Sequence, residues 1–62
     1  MQALQQYLVA TGKSQSELAA LIGVDPPMLN KWLKGTHVPS VKYLKQIAAK
    51  TGIRLEKLAE DL

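Results

Sequence analysis

Basic side chains are concentrated in the middle of the chain, where their charge suits the binding of a polyanion. Seven Lys and Arg residues lie between Lys13 and Arg54, against the two carboxylates of Glu17 and Asp25, which gives a local balance of +5. From Leu55 onward the balance is −2. A basic region of this kind favours a polyanionic partner, with nucleic acid as the leading candidate. The same distribution also fits a well-solvated surface, so charge alone does not decide between the two.

Catalytic chemistry finds no support in the sequence. The chain has no cysteine and one histidine, His37, and its carboxylates are scattered or lie near the C-terminus. These residues provide no nucleophile–base pair, metal cluster or glycine-rich phosphate loop. We therefore predict a protein that is not an enzyme and uses no metal, cofactor or small-molecule ligand.

The length of 62 residues predicts one domain, residues 1–62. A chain this short buries only about 60% of its extended surface, so its stability should be marginal. No apolar run approaches the roughly 20 residues that span a bilayer, and the N-terminus lacks the pattern of a secretion signal. We expect a soluble cytoplasmic protein, which the lack of cysteine also fits.

Apolar residues recur at three- and four-residue steps, and no useful period-2 alternation is present. This pattern predicts an all-α fold. Glycines, prolines and capping residues divide the chain into five helical segments. The first is predicted over Gln2–Ala10, with Gly12 as its stop. The fourth is predicted to begin after a Ser40 cap, and a short fifth segment starts at Ile53, with Arg54 as a poor cap.

The two central helices fall within Gln15–Lys34. Ser14 and Glu17 have the spacing of a capping box at the start of the second helix. Gly23 can adopt the positive φ that the turn between the helices needs. The predicted inner face of the pair consists of Leu18, Ala19, Ile22, Val24, Leu29 and Trp32. Lys31 and Lys34 are left outside this face, a pattern typical of a helix-turn-helix.

These residues resemble those of the Cro and repressor family of phage and bacterial DNA-binding domains (lambda repressor-like, Xre). The resemblance covers nearly the whole chain. Its motifs are the Ser-Gln-x-Glu-Leu-Ala opening at residues 14–19, the Gly35…Pro39-Ser40 loop and the Leu-x-x-Ile-Ala pattern at residues 44–48. Leu29-Asn30-Lys31 is similar to the recognition helix of a phage Cro protein, and the length also suits a stand-alone Cro. The resemblance implies a compact five-helix domain that lays its third helix in the DNA major groove.

The resemblance also implies individual DNA contacts. Gln15, which begins the second helix, would bind a phosphate with the help of the helix dipole. Ser14, which precedes it, is a further predicted DNA contact. Lys31 would meet O6 and N7 of a guanine, and Asn30 a phosphate or a base edge. Met28 would touch a thymine methyl, and the residues at and after the end of the third helix would contact the DNA backbone: Lys34, Thr36 and His37. The lysines of the fourth helix are predicted to form a solvated face, of which Lys42 or Lys45 would come closest to DNA.

The start of the third helix departs from the family. Its members usually carry Gln or Ser, which hydrogen-bond bases, at the positions of Pro26 and Pro27. Proline can offer only apolar contact, so we predict that Lys31 and DNA shape carry an unusual share of the specificity. The prolines also lack N–H groups, so Asp25 is predicted to cap this helix through the N–H of Met28.

A second departure concerns the core. Many members pair an Arg of the first helix with a Glu of the third, and this chain has Leu8 and Leu33 at those positions. Replacing a buried ion pair with apolar packing is often neutral or stabilising. We therefore predict a packing contact between Leu8 and Leu33. If Leu33 pointed to solvent, it would be a candidate for a protein interface.

One helix-turn-helix buries too little surface for tight binding, so the resemblance implies a homodimer on a two-fold-symmetric operator. The free dimer is expected to be weak. Its predicted interface is the less basic C-terminal segment, at Ile53, Leu55, Leu58 and Leu62. The function expected on these grounds is that of a small transcriptional repressor.

Two other interpretations remain open. The chain could be an antitoxin or the N-terminal fragment of a longer repressor. It could also be a protein-interaction module that keeps the fold without binding DNA, and the two prolines with an exposed Met28 favour this second interpretation.

Overall fold

The computed structural model describes residues 1–61 of the chain, and these residues contain five α-helices. They are α1 (Gln2–Thr11), α2 (Gln15–Ile22), α3 (Pro26–Lys34), α4 (Val41–Thr51) and α5 (Leu55–Glu60). These residues include no strand, and the predicted all-α class is confirmed. The first helix ends one residue later than predicted, and the last begins at Leu55 rather than Ile53.

The turn between α2 and α3 depends on Gly23. Its φ of +91° lies in the left-handed region, and a Cβ built there would lie 3.2 Å from Nε2 of Gln46. The N–H groups of Gly23 and Val24 both donate to the carbonyl of Ala19, at 2.8 and 3.0 Å. Any other residue would strain this backbone and displace the Gln46 amide. The turn predicted from the sequence is confirmed.

The predicted caps of the two central helices are present. The Ser14 hydroxyl accepts from the N–H of Glu17 at 3.1 Å, and the Glu17 carboxylate accepts from the N–H of Ser14 at 3.0 Å. Asp25 accepts from the N–H of Met28 at 3.0 Å, as predicted for a helix that begins with two prolines. Ser40 does hold the N-cap position of α4, but within the described residues its side chain makes no capping hydrogen bond. That part of the prediction is wrong.

The capping box predicts a stability that depends on pH. The pKa of Glu17 lies below its ordinary value of 4.5, because the Ser14 N–H and then the Ser14 hydroxyl bond the carboxylate, with a smaller attraction from Lys13. A carboxylate with a lowered folded-state pKa stabilises the fold above its unfolded pKa, and this stabilisation is lost as the pH falls through the folded value. We therefore expect chemical unfolding below pH 4.5 to show a smaller acid-induced loss of stability in Glu17→Gln than in the parent. An equal loss in both proteins would contradict this role.

The core lies where α2, α3 and α4 meet, with α1 packed on α3 and α5 on α4. Its fully buried large side chains are Leu4, Leu18, Ile22, Leu29, Ile47 and Leu58. Trp32 is 3% exposed, and its ring lies 5.4 Å from that of Tyr43 at an angle of 56°. Trp32 is therefore a core residue, and the predicted inner face is confirmed, with Val24 half-buried at its edge.

The two leucines at the positions of the family's ion pair both belong to the apolar interior between α1 and α3. Leu33 is buried, and Leu8 packs against the same core from α1. Both residues line one depression between α1 and α3. Leu33 therefore does not face solvent, and a direct contact between Leu8 and Leu33 stays a prediction.

The structure corrects the predicted dimer surface at one residue. Leu58 is 0% exposed, because it anchors α5 to the core of its own chain. It cannot contact a partner without unfolding α5. Leu55 is 37% exposed and Ile53 is half-buried, so both remain candidates. Leu62 lies outside the described residues.

Across residues 1–61, none of the helices combines the length and the apolar character that crossing a membrane requires.

Candidate nucleic-acid interface

The outer face of α3 is set by the residues that it buries. Leu29, Trp32 and Leu33 pack inward. Successive residues of a helix are rotated by about 100°, so the opposite side carries Pro27, Lys31 and Lys34. All three are exposed. The structure thus presents two ammonium groups along one line of the helix, as the sequence predicted.

One flank of α3 faces α1 and the start of α2. A groove on this side brings together Gln15, Asn30 and Lys34, three of the predicted DNA-contacting residues. Asn30 is half-buried, whereas the other two are exposed. Amide groups of Gln and Asn can both donate to phosphate oxygens, and the lysine adds positive charge. This flank has the chemistry of a phosphate contact.

The other flank faces the loop between α3 and α4. Its groove brings together four more predicted residues, namely Pro27, Met28, Lys31 and His37. Val38 and Tyr43 also line it, and sequence reasoning did not assign them to the site. The grouping of these two residues depends on how the loop folds over Trp32, which no local pattern indicates. Pro26 and Thr36 are exposed but line neither groove.

The N-termini of α2 and α3 differ in what they offer an anion. At α2, the N–H groups of Gln15 and Ser16 belong to the first turn and have no acceptor within the helix. At α3, Pro26 and Pro27 have no N–H, and the N–H of Met28 is bound by Asp25. Only α2 therefore combines a helix dipole with donors that can reach a phosphate.

Two of the predicted contact residues already have structural hydrogen bonds. The Ser14 hydroxyl caps α2. The Thr36 hydroxyl donates to the carbonyl of Lys31 at 3.2 Å and so helps to end α3. While that bond is in place, Thr36 cannot also donate its hydroxyl proton to DNA. A contact of Thr36 with the DNA backbone stays a prediction.

Comparison with known proteins assigns the family. The HTH_3 family model, described as a helix-turn-helix, matches residues 4–58. The chain belongs to the Cro/C1-type helix-turn-helix family. It is therefore a DNA-binding domain, and the family is one of non-enzymatic regulators. Neither a curated protein nor a solved structure matches the chain at a significant level.

Polar contacts from outside the motif hold the ends of both helices of this helix-turn-helix. The Gln46 amide of α4 donates to the carbonyl of Ile22, the last residue of α2, at 2.6 Å. The Gln5 amide of α1 donates to the carbonyl of Leu33 in the last turn of α3 at 2.9 Å. Carbonyls at helix ends lack intrahelical partners, so these two glutamines satisfy groups that would otherwise need water.

The start of α1 adds further contacts. The α-amino group of Met1 donates to the carbonyls of Trp32 and Leu33 at 2.7 and 3.2 Å. A positive charge there complements the negative end of the α3 dipole. The Asp61 carboxylate in turn accepts from the N–H of Ala3 at 2.7 Å. It places a negative charge at the N-terminus of α1, whose own first turn has no acidic residue. The C-terminal end of α3 is thus held by Met1 and α1.

We expect Gln46→Ala to lower the free energy of unfolding by about 1–2 kcal/mol, because the half-buried carbonyl of Ile22 loses its donor. Urea unfolding followed by the fluorescence of Trp32, the single tryptophan, measures this change. Gln6→Ala is the matched control, since Gln6 is exposed on α1, and it should stay within about 0.5 kcal/mol of the parent. Equal effects of the two substitutions would show that the Gln46 contact is not stabilising.

Proposed function

We propose that the protein is a small Cro-type transcriptional repressor, of phage or prophage origin, that binds a two-fold-symmetric operator as a homodimer in the bacterial cytoplasm. The observation that carries the proposal is the outer face of α3, where Lys31 and Lys34 are exposed between two grooves. The similarity of Leu29-Asn30-Lys31 to a Cro recognition helix supports the Cro-type assignment.

In the proposed complex, α3 lies in the major groove and the N-terminus of α2 rests on the DNA backbone. Gln15 binds a phosphate through its side chain and the first N–H groups of α2. Lys31 donates to O6 and N7 of a guanine. Asn30 and Lys34 contact the backbone on the α1 side, and His37 does so on the loop side. Repression follows because a protein bound at a promoter blocks access to it.

A single module of this size buries too little surface for the affinity that specific regulation requires. Two copies on adjacent half-sites solve this, with recognition helices separated by about one turn of DNA, roughly 34 Å. The proposed contact between copies uses Leu55 and Ile53, which retain exposed apolar surface at the start of α5. The small size of this surface favours a dimer that completes its assembly on DNA.

Selection of bound duplexes from a random pool tests the proposal. We expect a symmetric site with guanine in each half-site and a spacing of half-sites near one helical turn. Binding to random duplex should weaken steeply with salt, because each phosphate contact releases a counterion. Enrichment of no sequence would refute specific recognition. An absence of any binding at low salt would instead favour a protein-interaction module that has kept the fold.

A further inference from the structure

The chain carries sulfur, the side-chain element that mild oxidants attack, at two positions only. It has no cysteine and two methionines, Met1 and Met28. Met1 is 8% exposed and belongs to the core, whereas Met28 is 36% exposed. An oxidant dissolved in water therefore reaches the thioether of Met28 more readily than that of Met1.

The backbone around Met28 keeps its side chain on the surface. Its N–H donates to the Asp25 carboxylate at 3.0 Å, which fixes the residue in the first turn of α3. Leu29, the next residue, is fully buried. Because α3 cannot rotate to bury Met28 without exposing Leu29, the thioether stays accessible for as long as the domain is folded.

The surroundings of Met28 contain hydrogen-bond donors. It lines the same groove as Lys31, His37, Ser40 and Tyr43. Residues three apart on a helix are neighbours on its surface, with Cβ atoms roughly 5–6 Å apart, so Lys31 is the nearest cation along α3. A thioether is only a weak acceptor. A strong acceptor formed at Met28 would lie within reach of the Lys31 ammonium.

We infer that Met28 is a modification site at which a hydroperoxide forms methionine sulfoxide, and that this oxidation releases the protein from its operator; the release rests on the proposed function. With hydrogen peroxide, a lone pair of the thioether sulfur attacks one oxygen, and the O–O bond breaks. The sulfur keeps that oxygen and is oxidised by two electrons. The other oxygen is reduced and leaves with both protons as water.

The sulfoxide replaces an apolar group with a strong hydrogen-bond acceptor at the start of α3. Its oxygen can accept from the Lys31 ammonium, which then has a partner in the free protein and gains less from a guanine. O6 and N7 of guanine are themselves acceptors, so they cannot bond the sulfoxide oxygen. Both effects weaken the operator complex, and neither requires α3 to move.

Treatment of the full chain with hydrogen peroxide, followed by mass spectrometry of tryptic peptides, tests the modification. Cleavage after Lys13 and Lys31 puts the two methionines in separate peptides, residues 1–13 and 14–31. Peptide 14–31 should gain one oxygen before peptide 1–13 does, and unfolding in urea before treatment should remove most of this difference. Equal rates in the folded protein, or earlier oxidation of peptide 1–13, would overturn the inference.

Fluorescence anisotropy on the selected operator tests the release, with each protein compared with its own untreated form. We expect oxidation of Met28 to lower the affinity about tenfold per half-site, on the scale of a polar group that loses its partner. Methionine sulfoxide reductases should restore the affinity. Met28→Leu keeps an apolar side chain of similar size without sulfur, and treatment should leave its affinity at the untreated value.

Circular dichroism establishes that the treated proteins are folded before binding is compared. Bound operator should slow the oxidation of Met28, because the DNA then covers the outer side of α3. An oxidised parent that binds with unchanged affinity, or an equal loss in treated Met28→Leu, would overturn the inference and leave the proposed repressor function standing. The selection with untreated protein decides that function separately, and if it enriched no sequence, the inferred release would fail with the function.

Discussion

Leu58→Asp is expected to unfold the protein rather than only to separate a dimer. Leu58 is 0% exposed, and it joins α5 to the core. An aspartate there places a carboxylate among apolar side chains without a partner, at a cost of several kcal/mol. A domain of this size has a total stability of about 3–9 kcal/mol, at roughly 0.05–0.15 kcal/mol per residue. Loss of the helical circular dichroism signal at 25 °C measures the effect.

Leu55→Asp is the matched control, since Leu55 lies one turn earlier in the same helix and is 37% exposed. This variant should remain folded. If Leu55 lies between two copies, sedimentation equilibrium should show a weaker dimer, and cooperative binding to the operator should decrease. A folded but monomeric Leu58→Asp would contradict the burial of Leu58 and restore it to the dimer surface.

The position of Leu58 shows what a helical pattern can and cannot specify. Leu55, Leu58 and Leu62 recur at three- and four-residue steps, which predicts one apolar face on a short helix. The pattern does not say whether that face meets the core of its own chain or a second copy. That answer depends on where α5 lies against α4, and so on tertiary structure.

Local signals specified the helix boundaries well because their causes are local. The Ser14–Glu17 capping box and the Asp25 cap each join groups only three residues apart. Gly23 ends α2 through its own backbone conformation. Ser40 failed as a side-chain cap, although its position was right, since a serine at an N-cap can leave its hydroxyl in water.

Long-range polar contacts could not be predicted in the same way. Gln46 and Ile22 are 24 residues apart, and Asp61 and Ala3 are 58 apart. Five glutamines occur in the sequence, and nothing in their local context distinguishes Gln5 and Gln46, which hold helix ends, from the rest. Such contacts follow only once the helices are packed.

The sequence predicts the candidate site as a set of residues but does not predict how they are arranged. The family resemblance supplied positions such as Gln15, Asn30 and His37. The structure divides these positions between two flanks of α3, with Gln15 and Asn30 on one side and His37 on the other. It also adds Val38, whose place in the groove beside Met28 depends on the path of a loop. The division separates a polar flank suited to phosphate from a more apolar flank suited to base edges.

Lys31→Ala is expected to remove most of the preference for the guanine of each half-site. A bidentate contact with a base contributes about 1–3 kcal/mol of discrimination, so affinity for the selected operator should fall about 5- to 150-fold per half-site. The first turn of α3 has no polar side chain to share this task, so the loss should lie toward the upper end. Fluorescence anisotropy on the operator and on matched duplexes with the guanine replaced measures both affinity and preference.

Lys34→Ala is the control, because it removes the same charge one turn further along the same outer face. It should weaken binding to operator and random duplex by similar factors and reduce the salt slope by about one, as loss of a phosphate contact does. If Lys31→Ala behaved in the same way, with equal losses on both duplexes, Lys31 would be a backbone contact. Specificity would then have to come from apolar contacts of Pro27 and Met28, from Asn30 and from DNA shape, since α3 has no other exposed cation in its first six residues.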